Sequence, residues 1–187
     1  MKPLLLVKHS LPDMQADLPA REWVLSAEGR NRAERLAKLL EQYRPEAVIS
    51  SVEPKAFQTA EVIAKGLSLS VHVFDGLHEH DRSNAPFYSP EEFQSLVHKF
   101  FARPAELVFG AETAVQALGR FQAAVQTVHG HFPDQTITLV AHGTVIALFV
   151  EDLTRCNGYE LWCQLGLPAL VVLDVESRHL LETIPVI

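Results

Sequence analysis

Two short apolar runs of this chain each end directly on a histidine. Leu4–Val7 is followed by Lys8 and His9, and Thr136–Ala141 is followed by His142. Apolar runs of this length, bounded by polar residues, are typical of buried β-strands. Because ligands of open α/β sheets bind beyond the carboxyl ends of the strands, both histidines are predicted to point into one crevice.

The rest of the chain alternates apolar runs with helical periodicity, which predicts a layered α/β domain. Further strands are predicted at Glu46–Ser50, at Val71–Phe74 and in a terminal hairpin around Ser177. Helices are predicted from Ser26 to about Tyr43, from Pro54 to about Lys65, from Ser89 onward, from Thr113 to Phe132 and from Thr144 to Leu153. Ser89 with Glu92 has the spacing of a capping box, which favours a helix start there.

Composition and charge exclude several classes of protein. The chain has 187 residues, of which 48% are hydrophobic and 21% charged, so a sizeable core is expected and disorder is not. The net charge is -7, with 16 Lys+Arg against 23 Asp+Glu. Non-specific nucleic-acid binding requires the opposite balance, whereas a local positive pocket for a small anion is compatible with an acidic protein.

The apolar segments and the cysteines indicate a cytoplasmic protein. No apolar run approaches the length of a membrane span, and Lys8 interrupts the N-terminal stretch before it reaches the length of a secretory signal. Cys156 and Cys163 match neither a zinc spacing nor a disulfide framework, so reduced thiols are expected.

The two histidine motifs occur with four others along the chain. In chain order they are KHS (8–10), LSAEGRNRAERLA (25–37), SSVEPKAFQTAEVIA (50–64), LHE (77–79), GAET (110–113) and AHGT (141–144). This order resembles that of the histidine phosphatase superfamily, also called the phosphoglycerate mutase-like fold. The resemblance implies a three-layer α/β/α sandwich with a mostly parallel sheet and helices on both faces. It also implies a single domain over 1–187 with a variable insert around 80–110.

The resemblance assigns a catalytic role to three residues. His9 would attack phosphorus and form a phosphohistidine, which splits hydrolysis into two easier steps. Glu79, as a carboxylic acid of raised pKa, would protonate the leaving oxygen and later activate water. A protonated His142 would stabilise the phosphoryl oxygens. The implied ligand is a small phosphorylated molecule, with no metal and no other cofactor.

The resemblance also implies a set of phosphate-binding residues, in which this chain departs from the family. The set is Lys8, Lys55, Ser10, Gln15 and Gly143. Both lysines stand where the family has arginine, and Ser10 stands where it has glycine. Lysine keeps the charge but lacks the planar fork that binds phosphate through two hydrogen bonds.

Several alternatives stay open on the sequence alone. The retained His9, Glu79 and His142 favour a metal-independent phosphomonoesterase, whereas the altered phosphate pocket favours a module that binds a phosphorylated ligand with little turnover. A mutase is a third alternative. The run His78–Asp81 also has residue types that bind metals, and Glu112 is interpreted as a helix N-terminal charge. The substrate and the oligomeric state are not determined by the sequence.

Overall fold

A six-stranded sheet forms the centre of the protein in a computed structural model that describes residues 2–15 and 17–185. The strands are β1 (Leu4–Lys8), β2 (Ala47–Ser50), β3 (Val71–Val73), β4 (Ile137–Ala141), β5 (Ala169–Asp174) and β6 (His179–Ile184). Their order across the sheet is β3-β2-β4-β1-β5-β6. The strands β3, β2, β4 and β1 pair in parallel with one another, each with the next in this order. The strand β5 pairs antiparallel with both β1 and β6.

In the part of the chain that the structure describes, six α-helices connect and cover the strands. They are α1 (Ala27–Leu40), α2 (Pro54–Leu67), α3 (Pro90–Ala102), α4 (Ala114–His131), α5 (Gly143–Thr154) and α6 (Gly158–Gln164). Capping boxes start α3 at Ser89 and α4 at Thr113, and the side chain of Ser26 caps α1. The strands and the five longer helices agree with the sequence prediction. The seven-residue α6 was not predicted, because fewer than two turns show no helical period.

The alternation of side chains in β1 explains why both faces of the sheet are covered. Leu4 and Leu6 pack into an apolar cluster with residues of α3, α4, α5 and α6. Leu5 and Val7 point to the other face and pack with residues of α1 and α2. Successive residues of a strand point to opposite faces, so a strand that is apolar throughout requires helices on both. The predicted three-layer α/β/α fold is therefore confirmed.

The parallel register brings the carboxyl ends of β1 and β4 to the same edge of the sheet. Val7 lies beside Val140 and Lys8 beside Ala141, so the residues that follow the two strands are neighbours. Within the described residues, no helix has the length and apolar character needed to cross a membrane.

Candidate active site

His9 and His142 face each other directly after β1 and β4. Their ring centroids lie 5.2 Å apart, with 61° between the ring planes. The backbone N–H of His9 donates to the Ala141 carbonyl at 3.0 Å, which extends the β1–β4 pairing up to the histidines. The predicted meeting of the two imidazoles in one crevice agrees with this geometry.

The His9 ring is oriented by a hydrogen bond to its own chain. Nδ1 lies 2.8 Å from the carbonyl oxygen of Ser10, and a carbonyl only accepts, so Nδ1 carries the hydrogen. Nε2 therefore has the free lone pair. Burial, together with the nearby His142 and Lys55, lowers the pKa of His9 well below its ordinary value. His9 is consequently neutral at pH 7, as a nitrogen nucleophile must be.

His142 is completely buried and lies between a hydroxyl and a carboxylate. Its Nε2 is 2.9 Å from Ser51 Oγ and 3.6 Å from Glu53 Oε1. Burial and the charge of Lys55 lower the pKa of His142 well below its ordinary value. The sequence-based expectation of a protonated His142 is therefore wrong for the protein without ligand, because burial penalises the charged ring more than Glu79 favours it.

The Glu79 carboxylate lies at the N-terminus of α5. It accepts hydrogen bonds from the backbone N–H groups of His80 at 2.9 Å, Thr144 at 3.2 Å and Val145 at 3.3 Å. Burial by itself would raise the pKa of Glu79. The positive charge of Arg82, 3.9 Å away, together with the N–H donors, outweighs burial and lowers the pKa to about 2.

This lowered pKa contradicts the raised value expected from the sequence. Glu79 is ionised in the protein without ligand, because the charged form receives the N–H donors that the first turn of a helix leaves free. A proton on Glu79 must therefore arrive with the substrate or after it binds.

Arg120 and Glu112 form a support beneath the segment that carries Glu79. The guanidinium of Arg120 donates to the carbonyls of Gly76 at 2.8 Å, His78 at 2.9 Å and Glu79 at 3.2 Å, and it pairs with Glu112. Glu112 also accepts a hydrogen bond from the backbone N–H of Asp81 at 2.9 Å. It therefore has more contacts than a helix N-terminal charge would explain. Arg120 was missed from the sequence, because no motif connects it to residues more than forty positions earlier.

The ammonium of Lys8 is bound to the main-chain oxygen of the residue that follows α6. Its Nζ donates to the Leu165 carbonyl at 2.7 Å. Burial lowers the pKa of Lys8, which the negative charge of Glu79 opposes. Gly143 leaves room for this side chain, since a Cβ at that position would lie 3.2 Å from Lys8 Cε.

Lys55 lies in the first turn of α2 and has an acidic partner. Its Nζ donates to the Ala20 carbonyl at 2.7 Å and forms a buried ion pair with Glu53. The other Glu53 oxygen accepts the backbone N–H of Glu79 at 2.8 Å. Glu53 was missed from the sequence, because side chains two residues apart do not normally face each other at a helix and no pattern predicts this pair.

The side chains of the remaining two predicted phosphate-binding residues form their hydrogen bonds outside this cluster. The hydroxyl of Ser10 is buried and donates to the Gly29 carbonyl at 2.7 Å, which ties the segment after His9 to the first turn of α1. Gln15 is exposed, and its side-chain amide donates to Asp13 at 3.2 Å. Across the described ranges, 2–15 and 17–185, no three His, Cys, Asp or Glu side chains converge in a way that could hold a metal ion.

A neutral, oriented imidazole beside two lysines and a carboxylate, at the carboxyl edge of a mostly parallel sheet, is suited to nucleophilic chemistry on an anionic group. A family model described as the histidine phosphatase superfamily (branch 1) matches residues 4–181. The chain belongs to this superfamily. This membership supports phosphatase, and therefore hydrolase, activity.

Individual relatives are distant in sequence and similar in fold. An uncharacterised phosphatase, PhoE of Bacillus subtilis (strain 168), is 22% identical over 162 residues, which cover 82% of this chain and 78% of that protein. A mycobacterial glucosyl-3-phosphoglycerate phosphatase with inorganic phosphate superposes with a TM-score of 0.75 at 22% identity, covering 95% and 93% of the two chains. A mutant phosphoserine phosphatase of Entamoeba histolytica with phosphoserine superposes with a TM-score of 0.78 at 18% identity, covering 98% of this chain and 96% of that chain.

Proposed function

We propose that this protein is a metal-independent phosphomonoesterase that hydrolyses a small phosphorylated molecule through a phosphohistidine on His9. The observation that carries the proposal is the state of His9: it is neutral, its Nδ1 hydrogen is bound by the Ser10 carbonyl, and its Nε2 lone pair is free. An imidazole prepared in this way is suited to attack phosphorus. The charge of Lys8 and Lys55 would offset that of the phosphoryl oxygens.

The first chemical step transfers the phosphoryl group to nitrogen. Nε2 of His9 forms a bond to phosphorus while the bond from phosphorus to the ester oxygen breaks, and that oxygen takes a proton from Glu79. Glu79 holds no proton beforehand, since its pKa is about 2. The arriving phosphate dianion is a like charge, which raises the pKa of Glu79 and promotes proton uptake.

The second step releases the phosphate. The Glu79 carboxylate, deprotonated by the first step, accepts a proton from water, and the water oxygen attacks phosphorus as the bond to Nε2 breaks. Inorganic phosphate leaves, and His9 returns to its neutral form. Glu79 would act as acid in the first step and as base in the second. Hydrogen bonds to backbone N–H groups would keep its carboxylate in the same place for both steps.

A second candidate function is a phosphate-binding module with little turnover. The ion pair between Lys55 and Glu53 favours this alternative. A carboxylate beside the lysine reduces the positive charge available to a phosphoryl group and repels the substrate. The two candidates differ in turnover and not in ligand class.

The deciding experiment combines turnover with trapping of the intermediate. Purified protein is assayed with phosphate monoesters in EDTA; the substrates named for the similar structures, phosphoserine and glucosyl-3-phosphoglycerate, belong in the panel. Stopping the reaction with detergent at alkaline pH, with substrate labelled in its phosphate, should yield an acid-labile, base-stable phosphoprotein that is absent in His9→Ala. Wild-type turnover equal to that of His9→Ala, with phosphate still binding, would support the binding module. Activity that EDTA removes and a divalent cation restores would show that the reaction depends on a metal ion and would contradict the proposal.

A further inference from the structure

Arg82 places a guanidinium beside the catalytic carboxylate, in the segment between Glu79 and α3. Its Nη2 lies 3.9 Å from Glu79 Oε2, and its side chain is 25% exposed. The central guanidinium carbon lies 4.9 Å from the centroid of the Phe93 ring on α3. Stacking on an aromatic face restricts the orientation of the guanidinium while its edge stays accessible.

The N–H donors of Arg82 are unused, in contrast to those of the two lysines. Lys8 donates to the Leu165 carbonyl, and Lys55 donates to the Ala20 carbonyl and pairs with Glu53. Among residues 2–15 and 17–185, the side chain of Arg82 has no hydrogen bond, and its contact with Glu79 is longer than one. A guanidinium has five N–H groups, and at 25% exposure those of Arg82 are open to an anionic ligand that replaces the solvent beside them.

The position of Arg82 indicates which part of a ligand it would reach. Glu79 is the group expected to protonate the ester oxygen, so the space beyond Glu79 belongs to the alcohol part of the substrate. We propose that Arg82 binds an anionic group, a carboxylate or a second phosphate, on the alcohol part of the substrate. This inference rests on the proposed function. It limits the substrate class to phosphate esters of acidic alcohols.

A different role for Arg82 would be purely electrostatic, since its charge favours the ionised form of Glu79. In that role Arg82 would influence every phosphate ester to the same extent, because Glu79 acts on the ester oxygen that all of them share. A binding role is specific to esters that carry the second anion. The two roles are therefore separated by comparing matched substrates and not by the loss of activity alone.

The experiment measures kcat/KM for 3-phosphoglycerate against glycerol 3-phosphate, which differ by a carboxylate in place of a hydroxymethyl group. Fructose 1,6-bisphosphate against fructose 6-phosphate tests a second phosphate in the same way. The wild type should prefer the more anionic member of at least one pair by roughly ten- to a hundredfold, the value of one charged hydrogen-bonded pair. Arg82→Gln should remove that preference chiefly through KM. Arg82→Lys should restore part of it, because the charge returns without the fork.

Arg103→Gln is the matched control, because Arg103 is an exposed arginine at the end of α3 paired with Glu106. It should leave the preference unchanged. An Arg82→Gln variant that slows both members of each pair equally, or a wild type without preference, would overturn the inference and leave the proposed function intact.

A binding measurement keeps this test independent of catalysis. Calorimetric titration of the His9→Ala protein with the same esters should show the same preference, and adding Arg82→Gln should abolish it. If the wild type turns over no ester but the binding preference depends on Arg82, the proposed function fails and the inference stands. Equal binding of both members, with or without Arg82, would refute it.

Discussion

The two sides of the crevice are built differently. On the acid side, the Glu79 carboxylate accepts three backbone N–H groups, and Arg120 holds the carbonyls of the segment that carries it. On the cation side, Lys8 and Lys55 are each held by a backbone carbonyl, and Lys55 shares its charge with Glu53. The acid side is fixed by the main chain, whereas the cation side consists of two lysine side chains whose donors already have partners in the protein.

This difference predicts how each side responds to an arriving phosphate. The acid side is already in position, so only its protonation must change. On the cation side, the lysines must reorient or share their donors, and the carboxylate of Glu53 opposes the anion. The acid side should therefore determine kcat, and the cation side should determine phosphate affinity as well as rate.

The largest effect is expected from removing the carboxylate on the acid side. Glu79→Gln should lower kcat by about 10²–10⁴-fold, because a general acid and base contributes that much, and should change KM little. Steady-state kinetics on one good phosphate ester measure this. Asp81→Asn is the control, since Asp81 is the other carboxylate of the same segment and accepts a hydrogen bond from Ser83. A greater loss of kcat in Asp81→Asn than in Glu79→Gln would show that Asp81, and not Glu79, is the general acid.

The next effect concerns the lysines on the cation side. Lys8→Ala and Lys55→Ala should each lower kcat/KM by about a hundred- to a thousandfold, the usual result of losing one charged donor to a transition state. The turnover of Lys8→Arg and Lys55→Arg distinguishes a phosphate pocket that works with lysine from one that the loss of arginine has impaired. Little gain is expected, because the pocket already accommodates ammonium groups. A large rise in turnover on restoring both arginines would show instead that the natural pocket is impaired.

Acid should destabilise the folded protein partly through Glu79. Its pKa in the folded protein, about 2, lies below the ordinary value of 4.5, so this stabilisation is fully present above pH 4.5 and is lost as the pH falls toward 2. The shift corresponds to about 3 kcal/mol of unfolding free energy. Urea unfolding at a series of pH values should therefore show a shallower acid decline for Glu79→Gln than for the wild type. Parallel declines would mean that folding does not lower the pKa of Glu79.

The smallest effect tests the competition between Glu53 and the ligand. Glu53→Gln leaves a side chain of the same size without the charge that pairs with Lys55. It should strengthen inorganic phosphate inhibition by roughly tenfold, since one opposing charge is removed from a buried pocket. The inhibition constant of phosphate at constant pH is the measurement. Unchanged or weaker inhibition would show that Glu53 positions Lys55 for the anion and does not compete with it.

The sequence predicted what depends on local pattern. Apolar strands that end on His9 and His142, the helix caps and the Leu77-His78-Glu79 motif all lie within short windows, and the structure has the strands and helices where these patterns predict them. What it missed depends on neighbours distant along the chain. Arg120 reaches Gly76 across 44 positions, and the Glu79 carboxylate accepts backbone N–H groups 65 and 66 positions later in the chain. No local periodicity contains such information.

The place of β1 in the sheet has a consequence for how the protein is made. β1 lies between β4 and β5, and its residues pair with Ile137–Ala141 and with Ala169–Leu173. During synthesis, the strand that leads to His9 therefore emerges before both of its neighbours, which follow more than a hundred residues later. Contacts so distant in sequence slow folding, and an apolar strand that waits for its partners is open to aggregation. We therefore expect the nascent β1 strand to need protection by chaperones until β4 and β5 have been made.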